Sequence, residues 1–418
     1  MKYSFLLSFA LGAGWLFSPE SLVIAGNTAG KLGWLALPAL AAAALLFALS
    51  GNLLRQSQLS GRQNSSFSLL RSTTGTIAAT SLTIISCIPL VVLAATALLV
   101  TSGYTFNEVF LYWFPNFGFS FLLLSLLTLL QFFPEKIIFK AQFCFITLAA
   151  GGLLFLALSG IAATGKPVAD VLQQPEGLFS ASSAILFFLF TGSSLNGNRN
   201  HPYLIPIAGF IIFSLWLVVS LSYVNPERLA SSTIPYMTTA RKVMGDPGRQ
   251  IMGVVVISGT CAAITALLLM CRNMLGDILH SKKSPPLLTA KKQRFLLPPL
   301  VALAAAILMA RGLAGDELLE ILLRSSLVLW MLYHCLLCLS AILVQYREKQ
   351  SIPVAGSFST TIILAALLTI LLSSPHRSEM ILFILSMSGI GTLFAIIWFF
   401  INKKINTNLT TQQTEKSL

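Results

Sequence analysis

The sequence predicts an all-α integral membrane protein: about twelve transmembrane helices, built as five plus five in an inverted repeat with two extra C-terminal helices. Three observations carry this. Of the 418 residues 56% are hydrophobic and only 10% charged, with a mean hydropathy of +0.82, a balance foreign to soluble globular domains. The apolar residues fall into runs of about 20, the length a helix needs to cross the hydrocarbon core, joined by short polar connections. And two runs, the first and the sixth, are broken by glycine and hydroxyl residues at matching positions.

Taken in order, the runs lie at about 3–25, 32–49, 75–102, 117–133, 141–163, 179–195, 203–224, 252–279, 295–309, 318–345, 358–372 and 380–401. The first begins with one lysine and an apolar stretch, as a signal peptide does, but no small-residue cleavage pattern and polar mature chain follow. It is expected to be a retained helix. The first repeat then spans about 3–163, the second about 178–346 and the extra helices about 357–402, all within one domain, 1–402. The remainder, 403–418, is polar and expected to be a disordered cytoplasmic tail.

With the N-terminus in the cytoplasm, most of the 27 Lys and Arg residues fall on the cytoplasmic side, among them Arg55, Arg62, Arg71, Lys136, Lys140, Lys282, Lys283, Lys291, Lys292 and Arg294. That agrees with the positive-inside rule, and an even number of spans returns the C-terminus to the same side. The exception is the connection 225–249, which carries Arg228, Arg241, Lys242 and Arg249 outside and is expected to fold as a short helix over the external face. The net charge of +13 is scattered over connections and forms no stripe interleaved with aromatics, so nucleic acid is not a partner. The expected location is the plasma membrane, for a bacterium the inner membrane. All six cysteines lie in or at the ends of apolar runs and read as core-packing thiols.

The first interruption is Gly12-Ala13-Gly14-Trp15-Leu16-Phe17-Ser18-Pro19-Glu20-Ser21. Glycine weakens a helix, Pro19 removes a backbone donor, and Glu20 is costly in hydrocarbon unless it meets a partner or water. The sixth run dissolves similarly at Phe187-Phe188-Leu189-Phe190-Thr191-Gly192-Ser193-Ser194. Five is an odd number, so the sixth run enters the membrane from the side opposite the first, which inverts the repeat. Interrupted helices at corresponding positions of two halves point to a secondary transporter site near the bilayer midplane. Small residues also serve close helix packing, so a single break alone does not decide between the two roles.

These residues carry a resemblance. Gly12-Ala13-Gly14-Trp15-Leu16-Phe17-Ser18-Pro19, followed by Gly30 across a short turn, resembles the first-helix signature G-x-G-x-x-x-x-P of the amino acid, polyamine and organocation (APC) transporter superfamily, of LeuT-like fold. Phe187-Phe188-Leu189-Phe190-Thr191-Gly192 is similar to the F-F-x-F-x-G of its sixth helix. The eighth run closes on Cys271-Arg272-Asn273 as the family's does, and Ile234-Pro235 precedes it where members carry a proline before an external helix. The chain departs from the pattern at Ser194, where many members have glutamate, and at Leu49-Ser50-Gly51-Asn52, where the second helix often ends in an acid.

The resemblance implies a permease, antiporter or exporter for amino acids or related amines. A substrate carboxylate would meet the amides around Gly12, Ala13 and Gly14, and its ammonium group the carbonyls near Phe187, Phe190 and Thr191, with Gly192 and Ser194 completing the second break. Trp15, Phe17, Phe187 and Phe190 flank the breaks as pocket walls or gates, or else pack against lipid and core. Glu20 either carries a proton or cation at the site or lies solvated near the external interface. His334 is a proton relay or a histidine bonded to a neighbouring helix. No resident cofactor or metal is expected: Cys335 and Cys338 alone cannot close a metal site.

Coupling to H+ or Na+ is left open by the sequence. Sodium-coupled relatives use hydroxyls of the eighth helix, where this chain offers Ser258, Thr260 and Thr265 but also Ala262 and Ala263. Some proton-coupled members use a lysine inside the fifth helix, whereas Lys140 stands only at its edge. The expected partners are a small organic substrate and membrane lipid. A membrane enzyme is disfavoured, because His201, His280, His334 and His376 are isolated from each other and from any carboxylate cluster. A sensor or assembly subunit that kept the fold and lost the cycle is the other alternative.

Overall fold

The computed structural model describes residues 9, 12–60, 65–163, 180–192, 201–279, 290–312, 316–349 and 352–415, and its regular elements are all helices. A short helix α1 (12–16) is followed by α2 (Pro19–Leu32), a 3-10 turn at Gly33–Leu35, and α3 (Ala36–Ser60). Next come α4 (Ser66–Thr74), α5 (Thr76–Val109), α6 (Asn116–Leu130) and α7 (Glu135–Ala162). The sixth run gives α8 (Ala181–Ile185), which tightens into a 3-10 segment at Leu186–Phe190. The chain continues as α9 (Leu204–Tyr223), α10 (Pro226–Ser231), α11 (Pro235–Leu279), α12 (Ala290–Ala310), α13 (Glu317–Lys349), α14 (Val354–Ser373) and α15 (Arg377–Glu415). Eight stretches of the described residues are long and apolar enough to cross a membrane, the first of them holding both α2 and α3. Asn116–Leu130, Ala181–Phe190 and Leu296–Ala310 are shorter apolar helices.

Burial ranks these helices. The apolar window of α11 is 89% buried and that of α15 only 17%, so α11 is the central post and α15 an outer one. The post packs chiefly on α7 and α5, and small residues let it come close: Gly152 of α7 admits Val255 of the post, and Gly253 of the post admits Val109 at the end of α5. Where two polar ends meet, Arg272 of α11 bonds to Glu135 at the start of α7 at 2.9 Å.

Several expected boundaries move, each for a local reason. Gly30 does not follow a turn: it lies inside α2, where a Cβ would overlap the backbone of Ala230 and stand 2.6 Å from the Pro226 carbonyl oxygen. The turn falls instead at Gly33, whose φ of 56° suits glycine. The helix α4 ahead of the third run was not expected; a capping box between Ser65 and Ser68 starts it and Gly75 stops it. The connection expected over the external face holds two helices, α10 and the first part of α11, which bends at Gly245 (φ 64°, ψ −137°) and resumes at Pro247. The polar tail after residue 402, expected to be disordered, continues α15 to Glu415. Residues 416–418 lie outside the described residues.

Because the Gly30 contact is with backbone, which cannot swing aside as a side chain does, Gly30→Val is expected to cost about 1–3 kcal/mol by overpacking. Thermal unfolding of the purified protein in detergent would show this as a lowered midpoint, and an unchanged midpoint would contradict the contact.

Candidate functional site

The first break is shorter than the sequence suggests. Gly12 to Leu16 are helical, and only Phe17 and Ser18 leave the helix before Pro19 restarts it. The restart is fully capped. Ser18 is extended (φ −66°, ψ 154°), its Oγ accepts the Ser21 amide, and Pro19 takes a first-turn position where no donor is needed. The Trp15 carbonyl, released by the end of α1, accepts from the Ser18 amide at 2.9 Å and from the Ser21 hydroxyl at 2.9 Å.

Gly12 and Gly14, whose backbone amides are expected to meet a ligand, also stand where neighbouring chain comes close on their Cβ side. A Cβ on Gly12 would overlap the Ile205 side chain and lie 3.2 Å from the Gly192 carbonyl oxygen. One on Gly14 would stand 2.7 Å from the Ala262 carbonyl oxygen and 2.8 Å from the Gln142 amide nitrogen. Ala13 between them is buried too.

The two interrupted runs meet here. Trp15 Nε1 donates to the Phe188 carbonyl at 2.9 Å, and a Cβ at Gly192 would overlap the Gly12 carbonyl and approach the Trp15 side chain. Phe187 and Phe190 turn toward Phe47 of α3, with ring centroids 6.1 Å and 5.8 Å away. The Thr191 hydroxyl donates to the Met331 sulfur of α13 at 3.9 Å. Phe17 is buried, and its carbonyl oxygen lies where a Cβ on Gly259 of α11 would be. Ser194 lies outside the described residues.

The remaining candidates are spread around this crossing. Thr260 is bonded to Ser102 at 2.7 Å and turned toward α5, Ser258 is buried, and Thr265 Oγ1 has no partner among the described residues. Glu20 is half-buried in the first turn of α2, where a carboxylate favours the helix dipole. The charges acting on it come from Arg324 and Glu320 of α13, themselves an ion pair one turn apart. His334 is buried and bonded to Ser50 of α3.

Sequence reasoning missed Gln142. Fully buried near the start of α7, it donates from Nε2 to the Ala262 carbonyl at 2.9 Å and packs against Gly14, so one neutral amide joins α1, α7 and α11. Its signal was weak: a polar residue two places after Lys140 at the margin of an apolar run reads as part of the interface. Lys140 itself is exposed.

The crossing is closed: Trp15, Phe190 and Thr191 have essentially no exposure. No group of three or more His, Cys, Asp or Glu that would hold a metal ion occurs among the described residues. A cavity of about 420 Å³ lies elsewhere, between α5, α11, α12 and α15, and shares no lining residue with the crossing.

Against solved structures, the chain superposes on the manganese transporter of Eremococcus coleocola bound to an aromatic bis-isothiourea substituted compound, with a TM-score of 0.61 over 96% of this chain and 95% of that one. The fold is that of a membrane transporter. Identity is only 13%, and a glutamate-to-glutamine mutant of the same transporter gives the same score and identity. A histidine-to-alanine mutant matches at 0.59 and 12%. No family model matches the sequence, and no curated protein matches it.

Two substitutions probe the crossing. Trp15→Phe removes the donor to Phe188 and is expected to cost about 0.5–1.5 kcal/mol, while Gly259→Ala forces the α11 backbone off the Phe17 carbonyl and is expected to cost more, about 1–3 kcal/mol. Thermal melts of the two variants beside the wild type would order them; equal midpoints for all three would refute the close crossing.

Proposed function

We propose that this protein is a secondary transporter that moves amino acids or related organic amines across a cytoplasmic membrane by alternating access. The observation that carries the reading is the buried crossing of two interrupted helices, tied by Trp15 Nε1 to the Phe188 carbonyl and closed by the Gly12 and Gly192 contact. Interrupted helices that meet inside a bundle offer helix ends to a charged substrate and a place about which the bundle can rock. The twelve-span inverted repeat, the cytoplasmic termini and membership of the APC superfamily belong to this same proposal.

The side chains at the crossing favour an organic substrate. They are aromatic rings and hydroxyls, Trp15, Phe47, Phe187, Phe190, Ser18 and Thr191, which on opening of the crossing would suit an apolar or aromatic side chain with a few polar contacts for orientation. A transition metal would ask for several carboxylate, imidazole or sulfur ligands. The second reading, metal ion transport, is favoured by the likeness to the manganese transporter.

Glu20 and the pair of Arg324 and Glu320 mark the entrance on the predicted external side. There the carboxylate of α2 faces the cation of α13, so the two helices carry opposite charges across the approach to the crossing.

Proteoliposomes containing the purified chain decide between the readings. Saturable uptake of a radiolabelled amino acid, without uptake of radiolabelled manganese, is expected. Manganese uptake alone would establish the metal reading, and binding of amino acid without flux the sensor reading. In the same vesicles Glu20→Gln is expected to reduce uptake or flatten its dependence on pH with expression unchanged; identical kinetics across pH would remove Glu20 from the mechanism.

A further inference from the structure

We propose that His334 is the site at which this protein binds a coupling proton, with Nδ1 of the ring as the accepting atom. The inference rests on the transport reading above and adds to it the driving ion and its place.

His334 lies on the face of α13 that follows α3 and the sixth run. Met331, one turn before it, takes the Thr191 hydroxyl, and Cys338, one turn after it, stands 3.8 Å from its Nε2. The imidazole stacks on Phe47 at a centroid distance of 5.4 Å and an interplanar angle of 17°. Phe47 in turn packs against both Phe187 and Phe190. One aromatic ring therefore separates the histidine from the sixth-run break.

Its hydrogen bonds assign the proton. Nε2 lies 3.1 Å from Ser50 Oγ. Ser50 Oγ also lies 3.0 Å from the Phe47 carbonyl; we assign its hydrogen to that carbonyl, which makes it an acceptor for Nε2 and puts the ring hydrogen there. Nδ1 is left as a lone pair, buried and without a partner among the described residues. A buried acceptor left unmatched is costly. Nδ1 is therefore the ring atom free to take a proton, which turns imidazole into imidazolium with no other bond made or broken, at the cost of a charge that burial disfavours.

The surroundings tie that step to movement. Phe47 and Ser50 of α3, which meet the ring, carry no charge; Thr360 of α14 lies at Cys338, and Thr83 and Cys87 of α5 lie at the neighbouring Tyr333. On its own helix the titratable neighbours are Tyr333, Cys335 and Cys338. No ion pair among the described residues includes His334. An imidazolium in the closed seam would have the Ser50 oxygen and the face of Phe47 beside it and no carboxylate in an ion pair with it among the described residues. Loading and release then require α3 and α13 to part and admit water, first on one side of the membrane and later on the other. One proton taken up and one given back accompany each cycle.

Two measurements test this. The first needs no substrate: nitrogen NMR of the ring in vesicles, on a chain whose other three histidines are replaced by glutamine, across about pH 5 to 8 where histidine changes charge. Reversible protonation at Nδ1 is expected, and a ring that stays neutral throughout overturns the proposal whether or not the protein transports amino acids. The second compares wild type with His334→Gln in vesicles, using a radiolabelled amino acid. Exchange of internal for external amino acid is expected to persist in the variant, while accumulation driven by a pH gradient is lost. Wild-type accumulation in His334→Gln overturns the proposal. Absence of exchange in the wild type itself counts against the transport reading and leaves the NMR result to decide on His334. Ser50→Ala, which keeps the imidazole and removes its acceptor, is expected to shift the NMR titration; no shift would contradict the assigned tautomer.

Discussion

Everything at the centre of this protein depends on one constraint: a helix interrupted within a bilayer must return its freed backbone groups to the protein. The two residues that leave the helix, Phe17 and Ser18, meet that demand within a single turn. The carbonyl of Trp15 receives two donors, Ser18 caps the helix that follows, and Gly259 yields its side chain so that the Phe17 carbonyl can reach the α11 backbone. The 3-10 segment of the sixth run makes the complementary provision. Its Phe188 carbonyl accepts from the Thr191 amide and also from the Trp15 indole, so each interruption completes the other.

From that centre the bundle is assembled by size. Residues without bulk, Gly12, Gly14, Gly192, Gly259 and Ala262, sit where backbones touch, and the large rings of Trp15, Phe47 and Phe190 fill the space beside them. Hydroxyls are spent largely inside their own helices: Thr80, Thr83, Ser86 and Thr96 of α5 each return a hydrogen bond to a carbonyl three or four residues back. Other polar groups bond between helices. Ser102 with Thr260, Gln142 with Ala262, Ser50 with His334 and Trp15 with Phe188 join different helices around the crossing.

The helices themselves were legible in the sequence because hydropathy and length say most of what a bilayer asks of a helix. Their ends were less so. Gly30 and Gly33 look alike on paper, and only the neighbouring backbone of Ala230 shows that the first belongs inside a helix and the second at its end. The site was half legible for the same reason. That Gly12 and Gly14 are special can be read from their place in an apolar run, but glycine admits a ligand and a neighbouring helix equally well, and the close approach of Ile205, Ala262 and Gln142 is not written in the sequence. Gln142 was hidden by its position at a segment margin, and the Trp15 bond by its partner, a main-chain carbonyl 173 residues away that only a 3-10 turn makes available.

The bend at Gly245 joins two parts that otherwise belong to different layers. Ahead of it, Pro235 rests on Gly26 of α2, and α10 rests on Gly30; behind it runs the buried post. A backbone angle that glycine takes without strain, with Gly248 folded against the Ala240 carbonyl, makes the bend between the cap and the post. The cap and the most buried helix of the bundle are thus one continuous stretch of chain, turned at a glycine: about three turns from Pro235 to Gly245 lie beside α2, and the residues after the bend enter the core.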